Sequence, residues 1–210
     1  MTEPGRAESA AALAQCPRLA AGDCCRNRRD LVLSGYDLYR IARRLGLPPR
    51  LTADAFCKQE FAPQTLLPAV VLRPNARTGN CPFFEADACT IHAARPLGQA
   101  IDPATAAMEY YVQLPLCGTR VSAQEQRTLQ NYLDDAAITA RAGIDARWAV
   151  VCTQLSDKLQ QAGGRENPRY LPAARRIARA LYFDYSIQDD FYPQFNANTQ
   201  ALWPLLDKML

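Results

Sequence analysis

Eight cysteines in a chain of 210 residues restrict its folding more than any other feature. Cys24 and Cys25 close a tight Gly22-Asp23 turn ahead of a basic run. Cys81 and Cys89 lie between Pro63 and Pro103, where prolines and glycines are frequent and no long helical period survives. Cys117 stands beside Gly118. A loop-rich stretch of that length inside a compact protein needs a stabiliser other than helix packing. In a reducing compartment, clustered thiols hold a metal more often than they form a disulfide framework. Structural zinc takes four soft or borderline ligands in a tetrahedron, and an iron–sulfur cluster takes the same thiolates. Cys24, Cys25, Cys81, Cys89 and Cys117 are therefore the candidate metal ligands, and spacing does not separate zinc from an iron–sulfur cluster. Ligation from distant segments would fix the irregular region against the helices. The excess negative charge of several thiolates favours nearby cations, and Arg26, Arg28, Arg29 and Arg95 are placed to supply them.

The remaining composition is that of an ordinary globular protein, with 49% hydrophobic and 21% charged residues. A net charge of +3 argues against strong, nonspecific nucleic-acid binding. No stretch approaches the roughly 18 consecutive apolar residues of a membrane span. The apolar run Ala10 to Ala14 is too short for a signal sequence, and Gln15 spoils the lipoprotein-like box before Cys16. The expected location is cytoplasmic.

Ser34-Gly35-Tyr36-Asp37 reads as a capping box, followed by Leu38, Ile41, Ala42 and Leu45 at helical spacing and stopped by Gly46 and Pro48. A weaker helix is expected from Ala53 to Phe61, and a short strand at Ala69 to Leu72. Beyond Ser122 the pattern is helical throughout. Ile144, Trp148, Val151, Cys152, Leu155 and Leu159 form one stripe, stopped by Gly163-Gly164. Ala174, Ile177, Ala178 and Leu181 form the next, and Leu202, Leu205, Leu206 and Met209 a terminal one. The expected fold is mainly α, with an irregular, loop-rich cysteine-cluster region packed on a C-terminal helical bundle. Residues 1–15 read as a flexible N-terminus, 16–120 as the metal-binding region, and 121–210 as a helical region sharing one core with it.

In order along the chain, Asp23-Cys24-Cys25, Asp37-Leu38-Tyr39-Arg40-Ile41-Ala42-Arg43-Arg44-Leu45-Gly46, Cys81-Pro82-Phe83-Phe84, Cys89-Thr90-Ile91-His92 and Arg95-Pro96 resemble the motifs of the bacterial cysteine-cluster family, the YkgJ-like zinc- or iron-chelating proteins. The resemblance covers roughly residues 16 to 120. It implies a bound zinc or iron–sulfur centre and a metal that stabilises a fold acting as an accessory or interaction factor, with an unknown protein partner. The chain departs from the pattern at Arg18, Ala21 and Gln99, where the family has cysteines. Those departures motivate a second reading, a metal-free helical interaction protein that has lost the cluster. A third is an enzyme related to the flagellin lysine methylases, which carry a similar cluster. No cofactor motif supports methyl transfer, and no residue is assigned a catalytic role.

Other residues take plainer roles. Cys152 lies on an apolar helical stripe and Cys57 between Phe56 and Phe61, so both read as core. Cys16 stands near a chain end. His92, the chain's single histidine, follows Cys89 at zinc-ligand spacing but occupies a position where the resembled family has Tyr or His, which points to packing. Asp134-Asp135 and Asp189-Asp190 read as solvated acids. Arg40, Arg43 and Arg44, like Arg175, Arg176 and Arg179, read as solvated helix faces.

Overall fold

The computed structural model describes residues 31–86, 88–91, 94, 96, 100–101, 108–109 and 138–210, and for 100–101, 108–109, 138–140 and 142 the backbone alone. The described residues are mainly helical. Strand β1 (Val32–Leu33) leads through Ser34 into helix α1 (Gly35–Leu45). The capping box forms as the sequence indicates. Ser34 Oγ accepts from the Asp37 N–H at 3.1 Å, and Asp37 Oδ2 accepts from the Ser34 N–H at 3.2 Å. Leu38, Tyr39, Ile41 and Ala42 face inward. Gly46 ends the helix at φ 68, a left-handed conformation that glycine adopts without steric cost, and Leu47 N–H closes back onto Ala42 O.

Helix α2 (Pro49–Phe56) begins earlier than the expected Ala53, because Pro49 supplies the fixed φ suited to a first helical turn. It also stops earlier. Cys57 is extended at φ −122, and Cys57–Phe61 forms strand β2 rather than a helical continuation. Its partner is β3 (Pro68–Leu72), in antiparallel register from Cys57 opposite Leu72 to Phe61 opposite Pro68. The order β1-β3-β2 makes β3 the central strand, so Val70, Val71 and Leu72 are all buried and show no alternation. Part of the stretch after Pro63 thus gains its stability from a sheet.

Two pairs of two-residue strands follow: β4 (Phe84–Glu85) pairs with β5 (Ala88–Cys89), and β6 (Ala100–Ile101) with β7 (Met108–Glu109). Helix α3 (Ile138–Gln161) carries the stripe through Val151, Leu155 and Leu159 and ends before Gly163 and Gly164, both at positive φ. Helix α4 (Tyr170–Ala178) runs into a π-turn, Arg179–Phe183, and α5 (Phe191–Met209) completes the chain. Leu202 and Leu206 are buried in α5, whereas Leu205, expected on the same stripe, is exposed. Among the described residues no helix is long and apolar enough to cross a membrane.

One apolar cluster joins the two halves. It runs from Leu33, Leu38 and Ile41 through Val70, Leu72, Cys81 and Phe83 to Leu155, Ile177, Leu181 and Leu206. Gly35 sits at its tightest point. A Cβ there would lie 2.0 Å from the Leu181 carbonyl oxygen and 2.6 Å from the Trp148 ring. Only glycine allows α1 to approach the π-turn this closely.

Candidate functional site

The segment from Arg73 to Thr90 is built from turns. Arg73 donates its backbone N–H to Phe56 O, and its guanidinium reaches the Asp54 and Ala55 carbonyls at 3.0 and 2.7 Å, closing the end of α2. Asn75 Oδ1 accepts from the N–H groups of Arg77 and Thr78, and Asn75 N–H donates to Asn80 O. This loop delivers the chain to Cys81. Cys81 O then accepts from Phe84 N–H at 3.1 Å, and Phe84 pairs with Cys89 across the β4–β5 hairpin. Ala86, at φ 46, lies in the hairpin turn. Thr90 returns both its N–H and its hydroxyl to Phe83 O, at 2.9 and 3.1 Å.

Of the candidate ligands, Cys89 therefore lies in the hairpin and Cys81 in the turn that leads into it. Cys81 is buried, at 7% exposure, and Cys89 is half-buried against the same core. Phe83, between them in sequence, tilts against Phe56 at 4.8 Å and anchors the hairpin to the end of α2. Cys24, Cys25 and Cys117 lie outside the described residues, as do Cys16, His92 and the cations Arg26, Arg28, Arg29 and Arg95. Among the described residues no three His, Cys, Asp or Glu side chains converge as a metal would require. Cys57 is buried in the core, as the sequence indicates, and Cys152 is half-buried against it. Burial pushes both thiols up to about 12, with Arg73 opposing the shift at Cys57. They are thiols, not thiolates, at neutral pH, and so poor nucleophiles and poor metal ligands as they stand.

A second constellation was not evident in the sequence. Arg141, on α3, is 1% exposed and holds Asp145 through two bonds, Nε to Oδ2 at 2.7 Å and Nη2 to Oδ1 at 3.0 Å. Its Nη1 lies 3.0 Å from Asp37 Oδ1, a charge contact without hydrogen-bond geometry. Burial alone would lower the pKa of this guanidinium, but the charges of Asp37 and Asp145 outweigh it and raise it. The Tyr36 ring covers the group at 5.2 Å, and Arg40 lies over the same ring at 5.8 Å. Arg40 is shifted the other way, lowered by burial and then by Arg141. The one signal in the sequence was Arg141 and Asp145 at i,i+4 spacing on an otherwise apolar stretch. Their partner Asp37 reads locally as a capping residue and nothing more.

Comparison with protein-family models, curated proteins and solved structures finds no match to this chain.

Proposed function

We propose that the chain is a cysteine-cluster metal-binding protein. Its metal, zinc or an iron–sulfur cluster, is structural and holds the loop-rich region onto the C-terminal helices, forming a surface that acts as an accessory or interaction factor with a protein partner in the cytoplasm. The observation that carries this reading is the β4–β5 hairpin. It keeps Cys81 and Cys89 on one short, backbone-braced unit, entered through a loop held by turns at Asn75 to Asn80. Such a unit fits two of the four thiolates that a closed structural site requires. In this reading Cys24 or Cys25, together with Cys117, supplies the other two, and the metal's chemistry is to cross-link segments, with no open position for a reactant. Ligation deprotonates the thiols, so metal binding is coupled to folding and to pH.

Adding Co²⁺ to chelator-treated protein tests this. A tetrahedral thiolate site gives intense sulfur-to-cobalt charge-transfer bands, which Cys81→Ser and Cys89→Ser each remove. Bands that persist in both variants place the metal elsewhere.

One observation favours a second reading. Cys81 is as buried as its aliphatic neighbours, which also suits a core thiol in a metal-free helical interaction protein. In that case chelator leaves the thermal unfolding of the protein as isolated unchanged.

A further inference from the structure

A cavity of about 250 Å³ lies away from the cysteine hairpin, between α1 and the first turn of α5. Its apolar wall is aromatic. Tyr36 and Tyr39 are stacked 6.3 Å apart, and Phe191 tilts against both at 5.2 and 5.4 Å. Tyr185 and Phe195 back Phe191 at 4.7 and 5.6 Å. The Tyr39 hydroxyl donates to Asp189 O at 2.6 Å and accepts from Arg43 Nη1 at 3.3 Å, which holds the Arg43 guanidinium at the cavity.

Asp190 also lines this cavity. It occupies the N-cap of α5, yet its side chain makes no capping hydrogen bond. The physical reason is local. The third helical residue is Pro193, which lacks one of the two N–H groups from which an N-cap carboxylate ordinarily accepts. Among the described residues, neither Arg43 nor Asp190 forms an ion pair, with each other or with any other group.

From this we infer a binding site for a free α-amino acid with an apolar side chain, its carboxylate on Arg43, its ammonium on Asp190 and its side chain on the aromatic wall. The charges decide the class. A simple anion leaves Asp190 beside it, and a simple cation faces Arg43 next to a Tyr36 ring that already carries Arg141 and Arg40. Only a ligand bearing both charges satisfies both groups, and charge-assisted bonds of this kind are the strong ones. Size narrows the choice further, since the cavity is below the roughly 300–1,000 Å³ of sites for drug-sized ligands and cofactors.

Isothermal titration of the full chain with L-phenylalanine and L-leucine tests the inference, with phenethylamine and 3-phenylpropionate as analogues lacking one charge each. The amino acids are expected to bind saturably, and each analogue at least about tenfold more weakly, the loss of one charged hydrogen-bonding partner. Arg43→Gln and Asp190→Asn, both at exposed positions, are expected to weaken L-phenylalanine by a similar factor while leaving the thermal midpoint unchanged. The inference is overturned if neither amino acid binds, if an analogue binds as tightly as L-phenylalanine, or if both variants bind it normally.

Discussion

Arg141 places a full positive charge at a buried position, and its stability there depends on two carboxylates and one ring. Desolvating an ion costs several kcal/mol, so the arrangement holds only while its partners remain. Arg141→Met leaves Asp37 and Asp145 buried without their cation, and is expected to cost about 3–5 kcal/mol in urea unfolding. A loss below about 1 kcal/mol would mean that the pair is effectively solvated. The buried thiols act through pH. Unfolded, a thiol ionises near about 8.5, whereas Cys57 and Cys152 in the folded chain are held up to about 12. Between those values the native state binds the extra protons. Their contribution is therefore complete below about pH 8.5 and is lost as pH rises, by at most about 1.4 kcal/mol per pH unit for each thiol. The urea midpoint is expected to fall from pH 8.5 to 10, and to fall less in Cys57→Ala. A midpoint flat to pH 10 would show that these thiols ionise freely.

Helix α1 shows what local sequence specifies and where it stops. Its cap, apolar face and glycine stop are all local, so Ser34, Leu38, Ile41, Ala42 and Gly46 announced it without tertiary help. Ser34→Ala removes the side-chain acceptor for Asp37 N–H and is expected to cost about 1 kcal/mol. Phe56, Cys57 and Phe61 fit a helical face equally well, so local sequence predicts a helix where strand β2 forms. Pairing with β3, a long-range contact, decides the matter for Cys57–Phe61. Gly35 is similarly silent in sequence. Its need for glycine comes from Leu181 and Trp148, which reach it only in the folded chain. Gly35→Ala is expected to destabilise by about 3 kcal/mol, the upper part of the usual overpacking range, as read from thermal unfolding. A near-neutral effect would show that the π-turn yields readily.

At the scale of the molecule, helices at both ends of the described chain share one core, and the cysteine hairpin is pinned to it by Phe56 and Phe83. The thiols of Cys81 and Cys89 stood out in sequence because reduced cysteines in loop-rich segments lack an ordinary packing reason. The hairpin that unites them did not, because two-residue strands carry no periodicity. Arg43 and Asp190 read as separate solvated charges, since only the folded chain sets them around one cavity. In the proposed function, metal ligation secures the loop-rich region. Elemental analysis of the full chain purified without oxygen, paired with thermal unfolding before and after chelation, tests it most directly. The expected result is about one zinc per chain, or iron with matching inorganic sulfide, lost to chelator together with a drop in the unfolding midpoint. A metal-free protein whose midpoint neither chelator nor added metal moves would contradict it.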